Sequence, residues 1–266
     1  MLVTPTAQTR SDEVGLGRLR TRIRQAANAH GELSTGFLLP AKRRNAPAKV
    51  ERITGRTWVE ETVAAAHGVT RTFRVSGDGF WQVHKDAATT LVDAVMEDAA
   101  PQPGQVVADL YAGVGLFTAF LAEAVGESGH VLSVEVAPHA SRDALRNLHD
   151  LPQATVLNGP TDRVLGNLLA DPDAEEQDGG LAGRTLDTVV LDPPRAGAGR
   201  RAVERIIALA PETVVYVSCD PASLARDLAW LARGGYEVTR ARVIDLYPDT
   251  HHLESVTVLT RTAPAV

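Results

Sequence analysis

The chain has 266 residues, 44% of them hydrophobic and 23% charged, which is ordinary globular composition with room for one sizeable domain and a smaller unit. No apolar run approaches the roughly 18 residues of a membrane span, no signal peptide is legible, and a single cysteine excludes an intramolecular disulfide and a cysteine-built metal cluster. The expectation is therefore a cytoplasmic monomer with no membrane association and no metal site, whose net charge of -6 argues mildly against general nucleic-acid affinity.

Residues 1–15 are polar, aperiodic and interrupted by Pro5, and read as a disordered leader. Residues 16–78 form a small basic subdomain with candidate strands at 36–40, 49–54 and 70–75 and no clear helix. Arg18, Arg20, Arg22, Arg24, Lys42, Arg43, Arg44, Lys49, Arg52 and Arg56 crowd this stretch, enough for a local electrostatic footprint. From residue 79 the pattern changes to strand–helix alternation. An amphipathic helix over 87–100 stops before Pro101 and Pro103. A strand (106–112), a glycine turn and an apolar helix (116–125) follow, then a strand (130–136) and a helix (139–151). The alternation continues with a strand (154–159), a helix running into an acidic, Gly-rich loop (162–185), a strand ending in a Pro turn (186–197) and a helix (201–210). A strand (213–221), a helix (223–234) and two closing strands (236–248 and 256–262) complete it. Such alternation predicts an α/β fold with a mostly parallel, doubly wound sheet, beside a small β-rich or α+β N-terminal subdomain. Ligands in that architecture sit at the carboxyl ends of the strands.

Three strand ends carry chemistry. In Asp109-Leu110-Tyr111-Ala112-Gly113-Val114-Gly115, glycines let the backbone approach a ligand at a helix N-terminus. A dinucleotide fold would have a third glycine where Thr118 stands. Glu135, at the end of the next strand, is spaced to accept hydrogen bonds from ribose hydroxyls, and the pair favours S-adenosylmethionine over NAD. Asp192-Pro193-Pro194-Arg195 is a rigid turn poor in backbone donors that holds Asp192 at the sheet edge. Cys219 lies where a hydrophobic strand meets a helix N-terminus, whose partial positive charge favours a thiolate. A composition-only reading makes Cys219 an inert core thiol; its position makes it a nucleophile. The segment 245–254 offers His251, His252 and Glu254 as candidate bases, with a plain polar loop as the alternative.

Taken together, FWQVH, DLYAGVGLF, the strand-end Glu135, DPPRAG, VVYVSCDPASLARDL and DLYPDTHHLESV resemble the uracil-C5 RNA methyltransferases of the TrmA and RumA type, in order, across residues 75–262. The resemblance implies a class I methyltransferase that forms 5-methyluridine in tRNA or rRNA. It implies Cys219 as nucleophile, Glu254 as the base that takes the carbon-5 proton, and Gln82, Tyr111, Gly113, Glu135 and Asp192 as S-adenosylmethionine contacts. Three departures stand out. Ala112 replaces a common Cys. Asp220 replaces a usual Asn, and a carboxylate beside the thiol opposes its ionisation unless a neighbouring cation compensates. The expected N-terminal barrel is absent or truncated, and with one cysteine no iron–sulfur cluster is expected. A methyltransferase of another substrate, or a weakened cofactor- or RNA-binding homologue, remains the alternative.

Overall fold

The computed structural model describes residues 2–29, 34–39, 49–171, 173–175, 180–250 and 253–262. The chain divides into two compact units, Met1–Glu61 with Arg74–Trp81, and Thr62–Phe73 with Gln82–Val266.

The first unit corrects the reading of a disordered leader and a helix-free basic segment. It contains β1 (Leu2–Val3), α1 (Ala7–Ser11), the 17-residue α2 (Glu13–Ala29), β2 (Thr35–Leu39) and β3 (Lys49–Thr54). The strands form a sheet ordered β1-β2-β3, with β1 parallel and β3 antiparallel to β2. Leu16, Leu19, Ile23 and Ala27 recur at helical spacing; Leu16, Leu19 and Ile23 pack with Phe37 and Ile53 in a small core. Dense arginines and two glycines obscure that stripe in the sequence. Arg18, Arg22 and Arg24 are exposed on α2, whereas Arg20 is ion-paired with Glu51. Lys42, Arg43, Arg44 and the Lys49 side chain lie outside the described residues.

A hairpin of β4 (Trp58–Ala64) and β5 (Thr70–Ser76) has its open end in the first unit and its turn in the second, so a single boundary at residue 79 does not hold. The turn end belongs to the second unit for identifiable reasons. The rings of Phe73 and His67 lie 6.3 and 6.0 Å from that of Phe120, and Arg71 pairs with Glu123 and Asp150 at 3.1 and 2.7 Å.

The second unit continues with α3 (Ala87–Ala99), β6 (Val106–Leu110), α4 (Leu116–Val125), β7 (His130–Glu135), α5 (Pro138–Asn147), β8 (Ala154–Asn158) and α6 (Thr161–Ala170). It ends with β9 (Thr188–Leu191), α7 (Arg200–Leu209), β10 (Thr213–Ser218), α8 (Pro221–Arg233), β11 (Tyr236–Ile244) and β12 (Glu254–Arg261). Its seven strands are ordered β11-β12-β10-β9-β6-β7-β8; β6 to β10 pair in parallel and β12 runs antiparallel to both neighbours. This is the doubly wound α/β sheet expected from the alternation. Its central strands read as continuous apolar runs because both faces are covered. Val106, Ala108 and Leu110 pack with Leu165, Val203, Ile206 and Leu231 from α6, α7 and α8. Asp109 and Ser133 face the other way and hydrogen-bond to Thr118 of α4. The strand order reverses between β6 and β9, the place where such sheets open a crevice at their carboxyl edge. Among the described residues no helix is long and apolar enough to cross a membrane.

The turn into α4 depends on Gly115, which has φ +87° and would place a Cβ 3.0 Å from Leu148 Cδ1. We expect Gly115→Ala to lower stability by about 1–2 kcal/mol, measured as a lower urea midpoint with an unchanged slope.

Candidate active site

The residues singled out from the sequence fall into two groups at the carboxyl edge of the second unit's sheet. The first surrounds the turn after β6. Tyr111 adopts φ +64°, a left-handed conformation that an aromatic residue rarely takes and that marks the turn as constrained. Its hydroxyl donates to Ala198 O at 3.2 Å. Gly113 has φ +58° with open space where a Cβ would stand, so the backbone there is approachable from outside. Glu135 spans the turn: one carboxylate oxygen accepts from Gly113 N–H at 2.9 Å and the other from Ala137 N–H at 2.6 Å. Each oxygen keeps a lone pair for a further donor such as a ribose hydroxyl.

Beneath this turn Asp109 is wholly buried. Its Oδ2 accepts from Thr118 at 2.5 Å, while Oδ1 has no hydrogen-bond partner. Burial raises its pKa to about 7, against the Thr118 hydrogen bond and with help from the charge of Glu135. A cavity of about 440 Å³ opens beside the turn, lined among others by Tyr111, Val136, Thr161, Asp162, Arg200 and Arg201. That volume suits a nucleoside-sized ligand. The open backbone at Gly113, the spare acceptors of Glu135 and the orphaned Asp109 oxygen fit a cofactor carrying hydroxyl and ammonium donors.

The second group is set by strand register. Ser218 pairs with Ser255 in the β10–β12 ladder, so the next residue of β10, Cys219, lies beside the preceding residue of β12, Glu254. Because β12 runs antiparallel, its first residue reaches the edge where the parallel strands end. Asp192 follows Leu191 of β9, and its N–H donates to Leu110 O at 3.2 Å, which anchors it between the two groups. Gln82 lies in the loop ahead of α3 and is tied to neither group, and His251 and His252 fall outside the described residues.

The electrostatics differ from the sequence expectation in two ways. First, the Cys219 thiol is pushed up rather than down: burial dominates, and Glu254 and Asp192 add to it. Second, Asp220 is not the group that opposes ionisation. It caps α8, its Oδ1 accepting Ser223 N–H at 2.8 Å, and that bond holds it below the ordinary Asp range. The Asp-Pro pair, N-cap followed by the first helical residue, was a readable signal of this role. Opposing the carboxyls is Arg195, whose guanidinium lies close to the thiol and favours its ionised form. Sequence reasoning quoted Arg195 within the Pro turn without assigning it a function; nothing in a linear motif says that the turn brings it to the thiol.

Glu254 is 8% exposed, and burial lifts its pKa to about 6 against the pull of Arg195. Asp192 rises to about 8 through burial and the charges of Glu254 and Asp109. An acid with a raised native pKa binds its proton more tightly folded than unfolded, so stability falls as pH climbs from the unfolded to the folded value. We expect the wild type to lose up to about 2 kcal/mol relative to Glu254→Gln between pH 4.5 and 6, read from urea midpoints at stepped pH. Parallel curves across that range would contradict it.

Residues 44–262 match the family model described as tRNA (Uracil-5-)-methyltransferase. Two relatives, each named an uncharacterized RNA methyltransferase, from Streptomyces avermitilis and Streptomyces coelicolor, are both 43% identical over 210 residues, 79% of this chain. The alignments span 44% and 42% of those proteins, so the chain spans less than half the length of the relatives it matches. The crystal structure of Pyrococcus abyssi tRNA (uracil-54, C5)-methyltransferase in complex with S-adenosyl-L-homocysteine superposes with a TM-score of 0.63 at 26% identity, covering 85% of this chain and 50% of that one. A precorrin-6y C5,15-methyltransferase from Geobacter metallireducens, at 14% identity and a TM-score of 0.53 over 71% of this chain and 94% of that one, shares the fold alone. With a family model matched across most of its length and a sheet of the same build, the chain belongs to the tRNA (uracil-5-)-methyltransferase family.

Proposed function

We propose that this protein methylates carbon 5 of a uridine in RNA, using S-adenosylmethionine, with Cys219 as nucleophile and Glu254 as base. The observation that carries the reading is the adjacency of Cys219, Glu254 and Arg195 at the end of the β10–β12 ladder. Uracil carbon 5 is too weak a nucleophile to react unaided. S-adenosylmethionine supplies the methyl group as an electrophile on its sulfonium. Tyr111, Gly113, Glu135 and Asp192, with Gln82 from the loop ahead of α3, would hold it; Asp109 joins that set through its unpartnered oxygen.

The Cys219 thiolate forms a bond from Sγ to carbon 6, and the electron pair displaced from the 5,6 double bond makes carbon 5 nucleophilic. Once carbon 5 carries the methyl group, Glu254 removes the remaining carbon-5 proton. The released pair re-forms the double bond and expels the thiolate. A carboxyl with a pKa near 6 suits this role, since it is ionised at neutral pH yet basic enough to take a proton. Arg195 favours the thiolate both before attack and on its departure.

Simple transfer to an amine or hydroxyl needs neither a thiol nor a second carboxyl at this edge, which speaks against another substrate class. Arg18, Arg22 and Arg24, exposed along α2, offer positive charge to an RNA backbone. Whether the RNA is transfer or ribosomal is a choice the test must make.

Incubation with 5-fluorouridine-containing tRNA or rRNA and cofactor is expected to trap a covalent complex, because fluorine cannot leave as a proton. Cys219→Ala should form none and should lose turnover at least a thousandfold. Glu254→Gln should lose about 100-fold or more in turnover and accumulate adduct even on unmodified RNA. Absence of an adduct with either RNA class would refute the uridine reading.

A further inference from the structure

We propose that Asp227 is a positioning residue that sets Arg195 against Cys219 by latching the loop after β9 onto α8, with Arg226, Tyr216 and Gly197 as the other parts of the latch. The loop 192–199 has no helix or strand of its own, yet it carries both Asp192 and Arg195. Its first half is a turn closed by Gly197 N–H donating to Pro194 O at 2.7 Å, with Arg195 at the turn's centre. Pro193 and Pro194 have no N–H to donate, so these two residues give the turn no backbone donor.

The fixing comes from the far side. Asp227 is 0% exposed, and its Oδ2 accepts from Ala198 N–H at 2.7 Å, from Gly199 N–H at 3.3 Å and from the Tyr216 hydroxyl at 2.7 Å. Its Oδ1 accepts from Arg226 Nε and Nη2 at 3.0 and 2.8 Å, and the same Nη2 donates to Ala196 O at 2.7 Å. The residues on either side of Gly197 are thereby held to α8. Gly197 itself, at φ +78°, lets the backbone come so close that a Cβ would lie 2.5 Å from both Arg226 Nη2 and Asp227 Oδ2.

The consequence is a single mechanical frame. Helix α8 starts two residues after Cys219, with Asp220 as its cap, and Asp227 is seven residues further on, about two turns along the same face. One helix therefore places the thiol at its N-terminus and, through Asp227, places the loop that brings the guanidinium to that thiol. The buried carboxylate is expensive to maintain unless its hydrogen bonds are complete, so the latch has one sharp arrangement rather than many. Among the described residues the titratable and charged groups facing Cys219 are Glu254 from β12, Asp192 and Arg195 from the latched loop, and Tyr247 ahead of β12; of these Arg195 favours the thiolate. Loosening the latch frees that one favourable partner, whereas Glu254 and Tyr247 lie outside the loop and Asp192 keeps its own anchor, the N–H bond to Leu110 O at 3.2 Å.

The inference rests on Cys219 being the reacting thiol, but its test needs no RNA. With one cysteine in the chain, the rate of alkylation by iodoacetamide against pH reports the ionisation of Cys219 alone. Gly197→Ala, Tyr216→Phe and Asp227→Asn are each expected to move the midpoint of that profile up by about one pH unit, as Arg195→Ala does directly. Combined with Arg195→Ala, each should add nothing further, since the latch acts through that residue. Rescue is expected in Arg195→Lys only in part, because an ammonium lacks the fork. If Asp227→Asn fails to fold, judged by a lost urea transition, the two milder variants carry the test. Profiles unchanged in folded latch variants, or shifted equally with Arg195 absent, would overturn the proposal. A latch that behaves as described in a protein giving no fluorouridine adduct would leave the positioning role standing and remove the uridine reading.

Discussion

The antiparallel pairing of β12 with β10 determines more of this molecule's chemistry than any other contact. Five parallel strands deliver their last residues to one edge, and a sixth parallel neighbour would deliver its first residue to the opposite edge. Reversal of β12 brings Glu254, the strand's first residue, to the same edge as Cys219. Residues 254–259 of β12 are all buried, so a one-residue slip would exchange the side chains packed on the two covered faces and misfit both. Ser255 Oγ donating to Ser218 O at 3.1 Å fastens the last rung before Cys219 and Glu254. The placement of Glu254 beside Cys219 is thus inherited from core packing.

That placement creates an electrostatic difficulty which the rest of the site answers. Glu254, Asp192 and the Cys219 thiol share a small region, with Asp109 behind them, and burial favours the neutral form of each. Four acids cannot all ionise there. The values separate instead, with Glu254 near 6 and Asp192 near 8, so that at neutral pH one carboxyl is available as a base while its neighbour retains a proton. A bound sulfonium would add positive charge close to Asp192 and draw it toward its ionised form. Arg195, the guanidinium that the charges of this cluster face among the described residues, then has a defined task, and its position matters more than its mere presence.

Much of this was legible in the sequence because the second unit is locally consistent. Apolar strands carry Asp109, Glu135, Asp192 and Cys219 at or next to their carboxyl ends, glycines stand at Gly113 and Gly115 of the left-handed turn after β6, and the alternation names the sheet. Glu254 could be paired with Cys219 only through family resemblance, since register between β10 and β12 has no signature in either strand alone. Asp227 gave no sign at all: it reads as one more acid on an amphipathic helix, and its burial depends on a loop thirty residues earlier folding back onto it. The first unit failed for a different reason. Its α2 stripe is thin, set among arginines and interrupted by glycines, so the composition of a basic loop outweighed a helical period that tertiary packing against Phe37 and Ile53 makes decisive.

Asp220 shows how the same residue reverses meaning once its geometry is known. As a neighbour in sequence it is a negative charge next to a thiol that must lose a proton. As an N-cap its carboxylate is turned to the amides of α8, where Ser223 N–H and the helix terminus neutralise much of its field. An Asn at this position would cap equally well, so the exchange is nearly silent for the helix and, with the charge turned to the amides, nearly silent for Cys219. The groups that oppose the thiolate are distant in sequence and close in space. What tunes the Cys219 thiol is therefore the edge of the sheet, assembled from β12 and the loop after β9, rather than the residue that follows it.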